Sequence, residues 1–382
     1  MNEDDEFDVE EEDLGMAEYP FDPSEIDIAS NQVSVFNIVE RLRNDEINLT
    51  PDFQRLPNLW KSDVQSRLIE SLILGIPLQA FYFDVQKTSA VQDVAHGFIK
   101  REIWQVVDGL QRLSAIKNFI VNGNRLTGLE YLVALNGKKF DELPAPLRRN
   151  ILETTLLVYL IKAGTPEDIK FNIFKRVNTG GMPLTQQEIR HALFNGPGTK
   201  LIARIADTEE FRRLIGLSGN KRMLDREFVN RYLAFYVLDA EESYRSMDLF
   251  LNDVLRILNR MSDEHLEAVF EVSQDSLRTV ECLLPQHAFR RLVDGQSMFS
   301  RHVNKTLFET MMAQMSKLSN EQRAALCRSD RFRAEYPRLW QEMSVDGLTF
   351  DQCIVKSTGD RRRVLGRHII FRRFLESVLE GI

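Results

Sequence analysis

The stretch Trp104-Gln105-Val106-Val107-Asp108-Gly109-Leu110-Gln111-Arg112-Leu113-Ser114-Ala115-Ile116 constrains the fold of this chain more than any other. Trp104, Val106 and Val107 carry the aromatic and β-branched bias of a short buried strand. Beyond the glycine, Leu113, Ile116, Phe119 and Ile120 recur at helical spacing, so the period changes from two to about 3.6. A strand that turns at Gly109 and leaves as a helix presents free N–H groups and the positive end of a helix dipole, which suits an anion such as phosphate. Asp108 stands at the junction and Arg112 one helical turn later, so a carboxylate and a guanidinium can converge on one spot. The plainer reading is a helix capped by Asp108, with an intrahelical Asp108–Arg112 pair worth about 0.3–0.5 kcal/mol. The stretch alone leaves both readings open.

Charge is unevenly placed along the 382 residues. Residues 1–27 hold 13 of the 57 acidic side chains and no Lys or Arg, so the net −8 of the whole chain hides about +5 over the remainder. Such a tail has little apolar surface to offset ordering entropy, and residues 1–27 are expected to be a disordered acidic segment. A sharper reading makes it a mimic of nucleic acid or a self-inhibitory arm over a basic site. A polyanionic partner is electrostatically permitted for the rest. Three widely spaced cysteines, Cys282, Cys327 and Cys353, form no CxxC pair and point to neither a disulfide framework nor a zinc site. The acidic N-terminus is the opposite of a signal peptide, and no apolar run approaches the roughly 20 residues that span a bilayer. A cytoplasmic protein without membrane contact is expected.

Ordered structure is expected from Ser34, with Val35, Ile38, Val39 and Leu42 as the stripe of a short helix. Pro51 to Trp60 is too proline-interrupted for a helix interior. Ser62 to Gln65 reads as a capping box with Ser62 as N-cap, opening a helix that buries Val64, Leu68, Ile69 and Leu72 and stops at Gly75. Ala80 to Phe83 reads as a strand, residues 85–100 as a loop, and Glu153 to Ile161 as a second strong strand. Thr165-Pro166-Glu167-Asp168 opens a helix with Pro at its first position, and Thr185-Gln186-Gln187-Glu188 is another capping box. Beyond residue 198 strand signals fade. Met247, Phe250, Leu251, Val254, Leu258 and Met261 keep helical spacing, as do Leu307, Met311, Met315 and Leu318.

Several familiar sites are excluded, because the chain holds no G-x-x-x-x-G-K-[ST], G-x-S-x-G, H-E-x-x-H or EF-hand loop. Its six histidines assemble neither a metal-ligand spacing nor an H-N-H nuclease pattern. Three polar clusters remain. Asp108 to Arg112 is the first; there Asp108 is a candidate for a Mg²⁺ ion or an attacking water. Gln54-Arg55 beside Trp60 is the second, with Arg55 set between apolar residues as a salt bridge or a pocket lining. The third is Asn178-Thr179-Gly180-Gly181 with Glu188 and Arg190, of which the capping box explains Glu188 but neither Asn178 nor Arg190. A basic run, Arg361 to Arg363 with Arg367, Arg372 and Arg373, lies on a helix whose other face is Val364, Phe371, Leu375 and Val378. It reads first as a solvated face and second as a contact for nucleic-acid phosphates.

Taken together, the clusters resemble a known family. Phe53-Gln54-Arg55, Trp60, Arg67 to Leu72 and Gly75-Ile76-Pro77 are similar to the opening motif of the GmrS-like N-terminal domain of GmrSD-type modification-dependent restriction enzymes. Val107 to Leu113 resembles the family's D-G-Q-Q-R-L, with Leu110 where the family usually has Gln. Phe174 to Thr185 with Glu188 and Arg190 resembles its third block, F-x-R-I-N-x-G-G-x-x-L-[ST]-x-x-E-x-R. The three blocks lie in order within residues 34–195.

The resemblance implies an α+β chain: a ParB/sulfiredoxin-like nucleotide-binding domain over residues 28–197, then a mainly helical region over 198–382. It also implies a nucleoside triphosphatase, Mg²⁺-dependent, acting as sensor or regulatory subunit in defence against foreign DNA, modified DNA included. Asp108 and Arg112 are its expected catalytic pair, with Asp108 on the metal. Gly109, Gln111, Gln54, Arg55, Asn178 and Arg190 are its expected nucleotide contacts. DNA, a separate H-N-H nuclease subunit and a second copy of the chain are the partners this reading allows, since residues 200–382 show no nuclease motif. The competing expectation is a non-enzymatic DNA- or protein-binding module with a vestigial pocket.

Overall fold

Strand and helix alternate through the first half of the chain and helices fill the second. The computed structural model describes residues 27–49, 60–87, 91–93, 97–99, 102–177, 184–216, 222–293 and 297–382. The acidic stretch before Asp27 and the segments holding Gln54, Arg55 and Asn178 lie outside the described residues. Two compact units divide between Leu193 and Phe194.

The first unit orders as β1 (Ile28–Ser34), α1 (Val35–Arg43), β2 (Ile47–Asn48), α2 (Ser62–Ile73), β3 (Phe81–Lys87), β4 (Val91–Asp93), β5 (Gly97–Ile99), β6 (Glu102–Asp108), α3 (Leu110–Ile120), α4 (Ala145–Glu153), β7 (Thr155–Ile161), α5 (Glu167–Val177) and α6 (Gln186–Leu193). Its mixed sheet runs β1-β7-β3-β6-β2, with β1–β7 and β3–β6 antiparallel and β7–β3 and β6–β2 parallel. Leu156, Val158 and Leu160 alternate along β7 onto one apolar cluster, which α1 to α4 close with Val35, Ile38, Ile69, Leu72, Leu113, Ile116 and Ile151. On the opposite face Val107 and Ile161 pack with Phe171 and Phe174 of α5 and Ile189 of α6. That face is only partly covered, since Leu157 is 40% exposed.

Several expectations are corrected here. Residues 85–100 are not a loop: β3 runs on to Lys87, and β4 and β5 pair as an antiparallel hairpin. Hairpin pairing needs no amphipathic period, which is why the polar composition hid it. Ser62 is the first helical residue and Lys61 the N-cap, and Lys61 makes no side-chain cap bond. Gln65 is drawn off instead, its Nε2 donating to the Trp60 carbonyl at 2.8 Å. Glu153 ends α4 rather than starting β7. The helix from Ser34 stands as expected, with the Ser34 hydroxyl accepting from the Asn37 N–H at 3.3 Å. So does the box at Thr185: its N–H donates to Glu188 Oε2 at 2.6 Å, and the Glu188 N–H donates to its hydroxyl at 3.1 Å.

The second unit comprises α7 (Pro197–Ala206), α8 (Glu209–Ile215), α9 (Leu224–Val237), α10 (Ala240–Ser243), α11 (Met247–Leu258), α12 (Asp263–Leu283), β8 (Arg290–Leu292), β9 (Phe299–Val303), α13 (Lys305–Ser316), α14 (Asn320–Arg328), α15 (Arg331–Gln341), β10 (Ser344–Val345), β11 (Leu348–Thr349), α16 (Phe350–Val355) and α17 (Arg361–Leu379). Among its described residues it is helical apart from two short antiparallel strand pairs, β8–β9 and β10–β11. Leu307, Met311 and Met315 are buried, but so are Thr306, Glu309 and Thr310, so α13 runs through the core rather than along its surface. Glu309 takes the Arg231 Nε at 2.5 Å and the Arg367 Nη2 at 2.5 Å, all three side chains being almost fully buried. Arg367 therefore does not belong to a solvated basic face. Its neighbours Arg361, Arg362, Arg372 and Arg373 are exposed.

Candidate functional site

Gly109 shapes the junction between β6 and α3. Its φ of +102° is a left-handed conformation that a side chain resists, and a Cβ there would lie 2.5 Å from Phe81 Cδ1. Glycine is therefore required both for the turn and for the close approach of Phe81. Just before it the ladder slips: Tyr82 faces Asp108 but Phe83 faces Val106, leaving Val107 as an extra residue. Val106 and Val107 point to opposite faces of the sheet, as strand alternation requires, and each enters the apolar cluster on its own side. The slip brings Asp108 opposite Tyr82, whose ring stacks on Tyr159 with centroids 4.8 Å apart.

The N-cap of α3 is Gly109, not Asp108. Asp108 ends the strand, and its carboxylate accepts from the Gly109 N–H and from Arg112 Nη2 at 2.7 Å. Arg112 is held on every side. Its Nη1 donates to the Gln79 carbonyl and, at 3.3 Å, to that of Ala80, while the guanidinium lies 4.5 Å from the Phe81 ring centroid. Only 10% of its side chain is exposed, against 22% for Asp108. Burial pushes Asp108 above the usual carboxylate range although the Arg112 charge and the Gly109 N–H oppose it. The same burial lowers Arg112, and burial with Tyr159 and Asp108 nearby raises Tyr82.

Gln111 joins the first motif block to the second, its Oε1 accepting from the Trp60 N–H at 3.3 Å. The link continues as a ladder between α2 and α3: Asn118 Nδ2 donates to Gln65 Oε1 at 2.9 Å and Asn122 Nδ2 to Asn118 Oδ1 at 2.8 Å. Leu110 turns into the apolar cluster and is 8% exposed. Arg190 is buried on α6, its guanidinium 5.0 Å from the Phe171 centroid. The expected contacts Gln54, Arg55 and Asn178 lie outside the described residues.

The sheet and its β6–α3 junction have a counterpart among protein families. Residues 37–195 match the family model of the GmrSD restriction endonuclease, N-terminal domain. Residues 37–195 are a GmrSD N-terminal domain. The match suggests a role in a restriction system. No curated protein matches the chain.

Sequence reading missed three features of this GmrSD domain. Tyr82 and Tyr159 come together through strand register, which no local pattern announces. Asp84 and Lys170 form a buried pair at 2.5 Å between β3 and α5, with Asp84 pushed up by burial against the pull of Lys170. Glu70 accepts the N–H groups of Glu130, Tyr131 and Leu132, at 3.1, 2.8 and 2.7 Å. A signal for Glu70 was present, since it sits beside Ile69 and Ile73 on the buried stripe of α2. As for a metal, no group of three or more His, Cys, Asp or Glu converges among the described residues. Mg²⁺ is commonly held by one or two carboxylates with phosphate oxygens and waters completing its shell, so a partly exposed Asp108 fits as the protein's share of such a site.

Proposed function

We propose that the GmrSD domain is a ParB/sulfiredoxin-like nucleotide-binding domain that hydrolyses nucleoside triphosphates, serving as the sensor or regulatory part of a defence against foreign DNA. The observation that carries this reading is the junction itself: a strand end, a left-handed glycine and a helix start, with a carboxylate fixed in place by Arg112 and the Gly109 N–H. The start of α3 offers N–H groups and a positive dipole end to phosphate oxygens. Arg112 holds the Asp108 carboxylate in one orientation and adds positive charge beneath the site. Asp108 is the group placed to hold Mg²⁺ or to orient a water, and a bound Mg²⁺ would neutralise phosphate charge. The Tyr82–Tyr159 stack beside Asp108 gives a flat apolar surface next to it. DNA and a separately encoded nuclease are the partners in this reading.

A second reading has its own observation. The Arg112 guanidinium is buried and engaged by Gln79, Ala80 and Asp108, as in a group that holds a fold rather than one that meets a substrate. On that ground the domain would be a DNA- or protein-binding module without turnover. Purified protein assayed for Mg²⁺-dependent phosphate release from a panel of nucleoside triphosphates separates the two. Hydrolysis that Asp108→Asn abolishes, with the melting temperature retained, supports the first reading. Release equal to that of the variant, or none with any nucleotide, leaves the second.

A further inference from the structure

Cys282 and Cys327 lie 45 positions apart in the chain and meet between two helices of the helical unit. Each is the next-to-last residue of its helix, Cys282 in α12 and Cys327 in α14. The Cys282 thiol is 3.8 Å from the Cys327 carbonyl oxygen. The Cys327 thiol in turn is 4.0 Å from the carbonyl oxygen of Thr279, one turn before Cys282. A cysteine side chain is short, so two thiols that each touch the other's helical turn lie within reach of one another. Both are partly exposed, where an oxidant can meet them, whereas Cys353, the third cysteine of the chain, is buried.

A cation stands beside the pair. Arg333 of α15 donates from Nη2 to the Cys282 carbonyl at 2.6 Å and from Nε to the Leu283 carbonyl at 3.0 Å. Its Nη1 pairs at 3.0 Å with Asp330, whose side chain is 94% exposed and open to screening by water. The C-terminal end of a helix disfavours a thiolate, and a guanidinium set on the last carbonyls of α12 offsets that. Burial, then the hydrogen bond and charge of the neighbouring Cys282, push Cys327 up to about 12, with Arg333 opposing the rise. Cys327 is therefore the member that keeps its proton. The share of the rise that comes from Cys282 disappears once Cys282 no longer carries charge. One thiolate next to one thiol is the arrangement that disulfide exchange uses.

We propose that Cys282 and Cys327 are a redox-active pair that closes to a disulfide between α12 and α14. The oxidant is a small-molecule disulfide. The Cys282 thiolate attacks one of its sulfurs, forming a mixed disulfide and expelling one small thiolate. Cys327 then gives up its proton, and its sulfur attacks the Cys282 sulfur and expels the second small thiolate. The two cysteine protons pass to the two released thiolates, and the two electrons that the protein loses reduce the small disulfide. The bridge joins the ends of a segment that contains β8, β9 and α13, the helix that carries Glu309. Closing so long a loop restricts the unfolded chain, so the oxidised helical unit is the more stable form. Excess small thiol reverses the exchange, which makes the link a reversible response to oxidising conditions.

Full-length protein equilibrated first with oxidised and then with reduced glutathione tests this. After an acid quench, free thiols are counted in denaturant and the linkage is mapped by peptide mass spectrometry. The count is expected to fall from three to one in oxidised glutathione, with Cys282 joined to Cys327 and Cys353 free, and to return to three on reduction. The oxidised form is expected to melt roughly 5 °C or more above the reduced one. Cys327→Ser lacks the second sulfur, so it should stop at a mixed disulfide between Cys282 and glutathione. Three free thiols in the oxidised wild type, a bridge that uses Cys353 or a second chain, or an oxidised form no more stable than the reduced one overturns the proposal. So does a Cys282 thiol left unmodified in Cys327→Ser.

Discussion

The side-chain oxygen of Gln111 accepts the backbone N–H of Trp60 at 3.3 Å, across 51 positions of sequence. Through this contact the glutamine of the D-G-L-Q-R run ties the start of α3 to the chain entering α2. Replacement by Leu removes the acceptor while keeping much of the side chain's bulk. Gln111→Leu is expected to cost about 1 kcal/mol in urea denaturation, the usual net contribution of such a bond. A stability equal to that of the wild type would remove this structural role and leave Gln111 for a ligand.

Glu70 predicts a dependence on pH. Burial pushes its carboxyl up, but the three N–H groups of residues 130–132 and the Arg67 charge outweigh it and hold the folded value below the ordinary one. A depressed folded pKa means stability that is complete above the unfolded value of about 4.3 and is lost as the pH falls through the folded value. Glu70→Gln should therefore cost about 1–2 kcal/mol at pH 7, and the gap to the wild type should narrow at pH 3. Chemical denaturation at the two pH values reads this directly. A gap that widens in acid would reverse the sign and refute the assignment.

What the sequence displayed of this chain, and what it hid, follows from the range of the interactions. The Thr185–Glu188 box, the Ser34 cap and the switch of period at Gly109 are local, so adjacent residues announce them. Asp108 reads as a cap in the sequence because its pairing with Tyr82, which makes it the last strand residue, is invisible without the facing strand. Tyr82 beside Asp108, Asp84 beside Lys170 and Arg367 beside Glu309 are products of register and packing between distant segments. Cys282 and Cys327 make the same point. Far apart in sequence, they sit side by side, with the Cys282 thiol 3.8 Å from the Cys327 carbonyl, and burial with Cys282 adjacent pushes the Cys327 thiol up to about 12.

Within the helical unit the bridge of Arg231 and Arg367 over Glu309 sets a different expectation. Removing one partner of a buried pair leaves uncompensated charge, which costs about 3–5 kcal/mol. Two guanidinium groups share this carboxylate, so Glu309→Ala exposes both to that penalty. The variant should unfold at much lower denaturant concentration, and Glu309→Gln, which keeps an acceptor oxygen, should recover part of the loss. Equal stability of the two variants would show that the charge alone, and not the acceptor oxygen, holds the site.

Leu110 offers the most direct check on the candidate site, because its position in the motif usually holds Gln in the resembled family. Here the side chain is 8% exposed and packs into the cluster built on the α1–α4 face of the sheet. Leu110→Gln would exchange that apolar contact for a buried carboxamide, at a cost of about 1–3 kcal/mol if the amide finds no partner. If the side chain faces only the core, thermal unfolding should show the loss and nucleotide affinity should stay as in the wild type. A stable variant with tighter nucleotide binding would instead place residue 110 against the ligand and make the leucine a weakening of the site. Melting temperature and affinity, measured on the same preparation, distinguish these outcomes because the first predicts a change in stability alone and the second a change in binding alone.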